Sequence, residues 1–398
     1  MHIHPIKVPE AISAFAALCG IIYNLGCLLA AARFTRRRRA GLSKPAAGGP
    51  SPPISILKPL RGMDPEMYES LRSHCLLEYP EYEILFAVHD PQDPALVIAE
   101  RLQAEFPQRN VRVLTFPKIL GTNIKVSNLA QMVPLAKYEY LLVNDSDIRV
   151  GADYLRRIMA ALVDSKVGLV TCLYRGVAER TISSRLEALC VSTDFGAGVL
   201  MAQALEGEIR FGLGSTLALR KSDLERVGGF EALLDYLADD YELGARMAQS
   251  GRQVELAGTI VETMLPGYCW REFVRHQLRW ARAIRASRPR GYLTLGLTFA
   301  IPWAVLAVAF AGGAVWAWIL LVAALVVRLG MAFVVGECVL GDRQVRTFCW
   351  LIPLRDFVAL GLWAAAYAGR TVVWRGERYL LRKGRLVRAV PPRPSAAA

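Results

Sequence analysis

The stretch KYEYLLVNDSDIRV, residues 137–150, decides the fold. Its apolar run, residues 140–143, ends abruptly in the polar cluster NDSD. A polar cluster directly after a short β-forming run is typical of the carboxyl end of a buried strand, where open α/β sheets bind ligands. Asp145 and Asp147 can both approach one divalent cation, and hard oxygen ligands suit Mg²⁺ or Mn²⁺. The alternative is an Asp/Ser turn that only closes the strand.

The amino-terminal part of the chain predicts a membrane anchor. Hydrophobic residues make up 54% of the 398 residues, and the mean hydropathy of +0.29 is high for a soluble protein. Residues 12–32 are almost wholly apolar and are followed by Arg33 and the run RRRR at 36–39, which predicts a transmembrane helix with a cytoplasmic basic flank. A cleaved signal peptide fits poorly, because the charges follow the apolar stretch.

Two apolar blocks near the carboxyl terminus predict further membrane segments. Residues 292–336 are long enough for two spans with a tight turn near 312–313. Residues 348–374 are also apolar but contain charged residues such as Arg355 and Asp356. A full crossing of this last segment would place the basic tail outside, against the positive-inside tendency. This favours a re-entrant or interfacial segment, although a full crossing stays open.

Charge and cysteine usage narrow the classes of partner. The net charge of +13 and the pI near 9.5 favour anionic lipid headgroups over nucleic acid, because the Arg and Lys clusters adjoin the apolar blocks. We therefore expect the membrane, and no nucleic acid, as a partner. The eight cysteines show no C-x-x-C and no spacing typical of a metal site, so we expect free thiols without disulfides or zinc.

The central region, residues 54–270, predicts a globular α/β domain. Strands are predicted at 54–62, 82–89 and 111–116, with helices between them at 65–77 and 94–106. Asp64 is expected to cap the first of these helices, with proline at its first position. The alternation of strand and helix indicates a parallel sheet with helices on both faces. No G-x-G-x-x-G follows the first strand and no G-x-x-x-x-G-K-[ST] occurs, so the usual phosphate cradles are absent from the sequence.

The segment GTNIKVSNL, residues 121–129, carries amides on both sides of Lys125. An amide such as that of Asn128 can contact a base edge, and the lysine can contact a phosphate. The alternative is a polar loop that leads into a helix, and the residues alone favour neither.

Later segments place charged residues at element boundaries. In LADDYELG, Asp239 and Asp240 stand at a loop-to-helix junction, where a carboxylate can face a cleft or cap the helix. The segment 271–290 predicts an amphipathic basic helix at the membrane interface. The glycine-rich region 195–219 suits a pocket wall or a lipid-facing surface, or alternatively a helix and strand of the core.

These patterns divide the chain into parts with different environments. We expect a multi-pass membrane protein whose globular domain is cytoplasmic. The expected parts are an amino-terminal transmembrane anchor (1–35), a basic and Pro/Gly linker (36–53), the α/β domain (54–270), an amphipathic interfacial helix (271–291), carboxyl-terminal membrane segments (292–374) and a basic tail (375–398).

Five motifs occur in the order of one known family: LKPLRG, VHDPQDP, NDSD, ADDYELG and HQLRW. Together they resemble the inverting GT-A-fold glycosyltransferases of the ceramide glucosyltransferase type, including the bacterial relatives that glycosylate hopanoids. The resemblance extends over essentially the whole chain, as far as WRGERY at 374–379. It implies a GT-A (Rossmann-like) α/β fold, a UDP-sugar donor, a lipid acceptor and a divalent cation, Mg²⁺ or Mn²⁺.

Three acidic motifs of that family match acids of this chain. The first contacts the uridine nucleotide and matches Asp90 and Asp93. The second holds metal and diphosphate and matches Asp145 and Asp147. The third is the general base and matches Asp240. The full set of donor-binding candidates is Lys58, Asp90, Asp93, Lys125, Asn128, Asp145 and His276.

The family's Q/R-x-x-R-W motif matches HQLRW. Arg279 and Trp280 are further catalytic candidates, whereas His276 stands where the family has glutamine or arginine. With one base and no nucleophilic partner, a single displacement with inversion is expected, in which the cation and Arg279 stabilise the leaving diphosphate.

The expected function is transfer of a sugar from UDP-N-acetylglucosamine or UDP-glucose to a hydroxyl of a membrane lipid. The Ala/Arg-rich, bacterial-looking chain and NDSDIRV in place of D-S-G favour a hopanoid acceptor, bacteriohopanetetrol, and the cell inner membrane. Ceramide is the alternative acceptor. A processive polysaccharide synthase and a non-catalytic membrane-attached binding protein are the remaining alternatives.

Overall fold

The computed structural model describes residues 8–42, 51–374 and 376–388. Strands form two sheets in these ranges, an eight-stranded mixed sheet and a three-stranded antiparallel one. The strands are β1 (Ile54–Pro59), β2 (Tyr82–Val88), β3 (Asn110–Thr115), β4 (Tyr140–Val143), β5 (Ile148–Arg149), β6 (Val167–Ala178), β7 (Leu217–Arg220), β8 (Gln253–Leu265), β9 (Thr371–Trp374), β10 (Glu377–Arg382) and β11 (Arg385–Arg388).

The larger sheet has the order β3-β2-β1-β4-β7-β6-β8-β5 among the described residues. β1 pairs in parallel with β2 and β4, and β2 pairs in parallel with β3, so the carboxyl ends of these four strands meet at one edge. Beyond β4 the sheet is mixed, because β7 is antiparallel to both β4 and β6 while β8 is parallel to β6. This confirms the predicted α/β architecture and places NDSD at a ligand-binding edge.

Helices cover both faces of this sheet and continue into apolar segments. A π-helical turn, Cys190–Phe195, joins α6 to α7, and a second one, Phe333–Val339, extends α13. The helices are α1 (Val8–Leu42), α2 (Met67–Cys75), α3 (Ala95–Glu105), α4 (Ile124–Met132), α5 (Tyr154–Leu162), α6 (Ile182–Leu189), α7 (Gly196–Glu206), α8 (Lys221–Arg226), α9 (Asp239–Gln249), α10 (Trp270–Ser287), α11 (Pro289–Leu295), α12 (Ala300–Phe310), α13 (Val315–Ala332), α14 (Gln344–Phe348) and α15 (Ile352–Tyr367).

Successive residues of the central strands pack into two different cores. Leu57 and Leu141 join a core built with α1, α4 and α7, whereas Ile56 and Leu142 join one built with α2, α3 and α5. This alternation follows from strand geometry, in which neighbouring side chains point to opposite faces. Because β1 and β2 are buried along their whole length, their sequences are nearly continuous apolar runs.

Several helices have the length and composition of membrane spans. Among the described residues there are four of them, or five when a bent pair that meets at 54°, Pro289–Thr298 with Ala300–Phe310, counts as one span. The four single helices are Val8–Ala40, Ile182–Glu206, Val315–Val339 and Gln344–Tyr367. The predicted turn between α12 and α13 is present, since Gly312 and Gly313 adopt positive φ angles of 58° and 78° that glycine tolerates.

One of these apolar helices, Ile182–Glu206, lies inside the predicted globular domain. Polar residues such as Glu187, Thr193 and Asp194 interrupt its apolar residues, so no long apolar run marks it in the sequence. The region 195–219, for which two interpretations were open, contributes α7, which packs on α1, and then β7.

Some predicted boundaries differ from the structure. α1 continues through the arginine run to Leu42, beyond the expected end of the anchor at 35, because arginine is a good helix former and no proline interrupts. α2 begins at Met67, so Asp64 does not cap it. Residues 43–50 of the expected linker lie outside the described residues.

The expected basic tail contains ordered strands. β10 and β11 form a hairpin that pairs with β9 through β10. Val372, Tyr379 and Leu386 are buried in a small core of this sheet. Arg375 and residues 389–398 of the tail lie outside the described residues.

Candidate active site

A buried lysine supports the acidic loop after β4. Lys58 is the fifth residue of β1, and its Nζ donates a hydrogen bond to the backbone oxygen of Asp145 at 2.8 Å. Burial lowers the pKa of Lys58 to about 7, although the charges of Asp147 and Asp145 act in the opposite direction. In this structure Lys58 positions the loop and does not itself face an open cleft.

Lys125 joins three elements of the site. Asn123 caps α4 by accepting a hydrogen bond from the N–H of Val126, and this orients the first turn of the helix. From that turn Lys125 places its Nζ 2.7 Å from Asp145 Oδ1 and 3.3 Å from Asp239 Oδ2. Burial alone would lower the pKa of Lys125, but Asp145, Asp239 and Asp240 together outweigh it and raise the pKa.

Asp240 and Asp145 border the same small space. The carboxylate of Asp240 accepts hydrogen bonds from the backbone N–H groups of Gly214, at 2.7 Å, and Tyr241, at 2.8 Å. A Cβ atom on Gly214 would lie 2.9 Å from Asp145 Oδ2 and 3.2 Å from Asp240 Oδ2, so only glycine leaves this space open. Burial, and then the neighbouring Asp239, raise the pKa of Asp240 to about 6.

Asp147 is oriented by a different element. Its Oδ2 accepts a hydrogen bond of 2.6 Å from the hydroxyl of Thr263 on β8. Burial, and then the charge of Asp145, raise the pKa of Asp147 to about 6, with a further contribution from Asp64. Asp64 accepts a hydrogen bond from Ser146, so the carboxylates of Asp64, Asp145 and Asp147 all lie at the loop that follows β4.

The first acidic motif lies at the same edge but makes separate contacts. Both oxygens of Asp93 accept from the N–H of Gly62, at 2.9 and 3.0 Å, in the loop that follows β1. Asp93 also accepts from Ala95 at the start of α3, and Asp90 accepts from the N–H of Gln92. Among the described hydrogen bonds and ion pairs, none joins these two acids to Asp145; the loop after β1 lies between them.

Asn128 lies on α4 but is not joined to this cluster. It is buried, and its Oδ1 has no hydrogen-bond partner among the described residues. A buried amide oxygen without a donor is unusual, and this oxygen can accept a hydrogen bond. The expected contact of Asn128 with the nucleotide base therefore stays a prediction.

The HQLRW segment lies on α10, which begins with a capping interaction between Glu272 and the N–H of Cys269 at 3.0 Å. His276 Nδ1 lies 2.7 Å from the hydroxyl of Tyr268 and 3.0 Å from Oε1 of the buried Glu187. The pKa of Tyr268 is raised by burial and then by Glu187, and the charge of Arg279 opposes the rise. His276 thus takes a hydrogen-bonding position where the family has glutamine or arginine.

Aromatic rings connect this helix to the acidic cluster. The ring of Trp280 lies 5.4 Å from that of His276 and 6.3 Å from that of Phe195, measured between centroids. Phe195 in turn lies 5.2 Å from Tyr174 on β6. Burial, and then the charges of Asp240, Asp145 and Asp147, raise the pKa of Tyr174.

The carboxyl-terminal hairpin holds the loop that leads to Asp239 and Asp240. The N–H of Leu237 donates to the oxygen of Gly384 at 3.1 Å, and the N–H of Leu386 donates to the oxygen of Asp235 at 2.6 Å. The side chain of Asp235 accepts from the N–H and the hydroxyl of Thr122 at 3.0 and 2.8 Å. The hairpin therefore ties the acid pair to the loop before α4.

The sequence profile of glycosyl transferase family 21 matches residues 12–387. The chain belongs to glycosyl transferase family 21. This confirms the resemblance to ceramide glucosyltransferase-like glycosyltransferases that the five motifs indicated, together with the GT-A fold. The match begins within α1 and ends within β11, so the family includes the apolar helices and the hairpin as well as the sheet.

Two curated relatives and one solved structure illustrate the range of similarity. Ceramide glucosyltransferase 3 of Caenorhabditis elegans is 26% identical over 201 residues, which are 50% of this chain and 43% of that protein. The ceramide glucosyltransferase of Komagataella phaffii is 36% identical over 121 residues, 28% of this chain and 24% of that protein. The matched regions thus span less than half of the length of either relative.

A mannosyltransferase from Pyrobaculum calidifontis, solved in complex with GDP-Man and Mn²⁺, is 17% identical to this chain. It covers 89% of this chain and 98% of its own, with a TM-score of 0.47.

The donor set of the candidate site fits a divalent cation. Asp145 and Asp147 offer carboxylate oxygens, which suit Mg²⁺ and Mn²⁺. Burial, and then the charge of Asp145, raise the pKa of Asp147, so a cation bound there would favour the ionised form of this carboxylate. Among the described residues, no group of three or more His, Cys, Asp or Glu side chains is arranged to hold a metal ion alone.

Four residues of this family 21 site were not predicted to belong to it. Asp64, Asp239, Gly214 and Thr263 contact the predicted residues through tertiary hydrogen bonds or close packing. Asp239 is adjacent to the predicted base Asp240, so the two consecutive aspartates could have indicated that Asp239 belongs to the site. No pattern in the sequence marks Gly214 or Thr263, because their roles depend on strands that are distant along the chain.

Proposed function

We propose that this family 21 protein transfers a sugar from a UDP-sugar to a hydroxyl of a membrane lipid, with inversion at the anomeric carbon. The proposed acceptor is a hopanoid, bacteriohopanetetrol, and the proposed donor is UDP-N-acetylglucosamine or UDP-glucose. The observation that carries the proposal is the meeting of Asp145 and Asp240 across Gly214, with Lys125 bonded to Asp145 and close to Asp239. One small molecule can contact acids from both loops at that place.

Asp240 has the properties that a general base needs. Each of its oxygens accepts one backbone hydrogen bond, which fixes the carboxylate and leaves lone pairs for an incoming hydroxyl. With a pKa of about 6, raised by burial and then by Asp239, it is largely deprotonated at neutral pH yet more basic than an exposed aspartate. Such a base contributes about 10²- to 10⁴-fold to the rate.

The leaving diphosphate is the second demand of the reaction. Asp145 and Asp147 would hold a divalent cation, which as a Lewis acid would compensate the charge on the phosphate oxygens. Since the residues that the structure describes do not assemble three ligating side chains, oxygens of the diphosphate and water would complete the coordination. Lys125 positions Asp145, and Arg279 on α10 supplies a further positive charge near Tyr268.

The apolar helices that pack against the larger sheet support the proposed membrane location. α1 contacts α7 and β8, so a helix long enough to cross a membrane is attached to the sheet itself. The arginine run at the end of α1 favours a cytoplasmic sheet on a bacterial inner membrane. A lipid can then keep its chains in the bilayer while its hydroxyl reaches Asp240.

Ceramide is the second candidate acceptor, because the curated relatives carry the name ceramide glucosyltransferase. The chain covers less than half of each of them, so the name alone does not favour ceramide over a hopanoid.

The decisive experiment uses the full chain in lipid nanodiscs with Mn²⁺. UDP release from each UDP-sugar is measured with bacteriohopanetetrol, with ceramide and without acceptor. The mass of the lipid product is determined by mass spectrometry. We expect a product that carries one sugar. No UDP release with any donor would support a non-catalytic binding protein, and a product with many sugars would support a polysaccharide synthase.

A further inference from the structure

A small cavity with both polar and apolar lining residues lies among the apolar helices. Its volume is about 40 Å³, and its lining comes from each of three helices that could cross a membrane and from the bent helix pair. The polar lining residues are Tyr23, Asn24, Thr193, Asp194, Thr298 and Arg328. A cavity of this polarity among apolar helices is a candidate binding site, since polar and ionisable groups at such depth are costly to bury.

The charged groups at this cavity belong to a balanced cluster. Arg328 is 3% exposed, and its Nη2 lies 2.9 Å from Asp356 Oδ1, while a second ion pair joins Arg328 to Asp194. Arg355 lies 3.5 Å from Asp194 as well. Two guanidinium groups and two carboxylates give no net charge, so a charged ligand would be left without compensation.

Both a donor and an acceptor of this cluster lack hydrogen bonds. Among the described residues, Arg328 Nη1 and Asp194 Oδ2 are buried atoms without a hydrogen-bond partner, although Asp194 Oδ2 lies 3.5 Å from Arg355 Nε, and both Arg328 and Asp194 line the cavity. Leaving such groups unpaired costs about 1–3 kcal/mol each. A hydroxyl group can accept from the first and donate to the second, so a neutral hydroxyl-bearing ligand matches this pair.

A break between two apolar helices borders the same cavity. α11 with its short 3₁₀ extension, Pro289–Thr298, meets α12 at 54°, and Thr298 and Phe299 at the break line the cavity. Irregular backbone within a membrane is tolerated where it lines a cavity, and broken helices are typical of substrate sites in membrane proteins. The break therefore supports a ligand site over a purely structural ion cluster.

The cavity lies next to the aromatic residues that lead to the active site. Asp194 immediately precedes Phe195, whose ring contacts those of Trp280 and Tyr174. The charge of Asp240 contributes to the environment of Tyr174. Tyr174 lies on β6, and β6 contacts α9, the helix that begins with Asp239 and Asp240, so the ring of Phe195 lies between the cavity-lining helix and the elements of the candidate active site.

We propose that this cavity binds a second polar group of the lipid acceptor, a hydroxyl other than the one that is glycosylated. The inference rests on the proposed function, because it assumes a lipid acceptor. A volume of about 40 Å³ accommodates a few water-sized groups and is far below the roughly 300–1,000 Å³ of a pocket for a whole small molecule. The site thus takes one polar end of a lipid and excludes the nucleotide sugar.

Thr298 provides a test with a matched control. Its hydroxyl donates to the oxygen of Leu295 at 2.8 Å, and the exposed Thr294 makes the same kind of bond to Gly291 at 3.0 Å outside the cavity. Thr298→Leu fills the cavity, and Thr298→Val removes the hydroxyl with little change of volume. Thr294→Leu and Thr294→Val are the controls.

The measurement is transfer to bacteriohopanetetrol by the full chain in nanodiscs. We expect Thr298→Leu to raise the KM for the lipid about 10-fold or more, and Thr298→Val to raise it less, with the KM for the UDP-sugar and the melting temperature unchanged. The Thr294 variants should match the wild type. An unchanged lipid KM in folded Thr298→Leu would overturn the proposal and leave a cavity that holds only water.

A second measurement needs no variant. A long-chain alkanol and the vicinal diol of the same chain length are compared as competitors of the lipid acceptor in the wild type. The diol should compete about 10-fold better, since its second hydroxyl can form hydrogen bonds with Arg328 and Asp194 in the cavity. Equal competition would overturn the proposal, whereas absence of transfer to every lipid would instead refute the proposed function.

Discussion

Two clusters of charged residues differ in their charge balance. The candidate active site combines two lysines, Lys58 and Lys125, with a larger number of carboxylates. Burial lowers the pKa of Lys58 to about 7, so part of the positive charge is lost at neutral pH. The acids there are Asp145, Asp147, Asp239 and Asp240. The cluster of Arg328, Arg355, Asp194 and Asp356 among the apolar helices is balanced. An excess of carboxylate calls for a cation and its diphosphate, whereas a balanced cluster suits an uncharged ligand.

The largest effect is expected from the proposed base. Asp240→Asn keeps the size of the side chain but cannot take a proton, so kcat should fall about 10²- to 10⁴-fold while UDP-sugar affinity stays nearly constant. Transfer rates and donor binding are measured on the same purified sample. Glu242→Gln, on the same helix and paired with Arg246, is the control and should remain active. Full turnover by Asp240→Asn would refute the assignment.

Substitutions in the balanced cluster should change the stability of the protein more than its activity. Asp356→Ala removes a partner of Arg328 and should lower the free energy of unfolding by about 3–5 kcal/mol, because it leaves buried positive charge in excess. The double variant Arg328→Met/Asp356→Leu should recover much of this loss. Arg346→Met, which removes an exposed arginine that pairs with the partly buried Glu337, should cost less than about 1 kcal/mol. Thermal unfolding in detergent compares the variants; equal losses for the single and double variants would contradict the balance.

Removal of a carboxylate or of the cation tests the charge excess in the active site. Asp145→Ala should weaken UDP-sugar binding in Mn²⁺ about 10- to 100-fold, and EDTA should weaken the wild type by a similar factor. EDTA should have little further effect on the variant. Titration calorimetry measures both, with Asp153→Ala as a control acid that pairs with Arg157. Wild-type affinity that is the same with and without EDTA would exclude the cation.

The smallest effect concerns pH. The pKa of Asp240, raised to about 6 by burial and then by Asp239, implies that the base is deprotonated above pH 6 and becomes protonated below it. We expect kcat/KM to fall about tenfold for each pH unit below that value. Rates are measured at saturating Mn²⁺, together with donor affinity, because the pKa of Asp147 is also raised. A flat profile down to pH 5 would show that another group acts as the base.

The sequence predicts the regions in which local pattern and tertiary structure agree. β4 spans Tyr140–Val143 as the apolar run indicated, and the glycines at 312–313 mark the turn between α12 and α13. In such places the apolar run ends where the element ends, and a positive φ requires glycine.

The remaining features depend on contacts between distant segments. Lys125 was expected to contact a phosphate. In the structure it forms ion pairs with Asp145 and Asp239, which no local sequence pattern could indicate. Ile182–Glu206 was missed as an apolar helix because its polar residues find partners on other helices, as Asp194 does on Arg328. Asp64 bonds Ser146 instead of capping α2, because the chain bends before the helix begins.

The hairpin of β10 and β11 has a consequence for biosynthesis. Asp235 and Leu237, just before the acid pair, bond to Leu386 and Gly384, which the ribosome adds long after the sheet of the catalytic domain is complete. The loop that presents Asp240 therefore lacks its brace on the nascent chain. Activity is expected to begin only after these last strands leave the exit tunnel and fold back, so that an enzyme only partly inserted into the bilayer does not consume donor sugar.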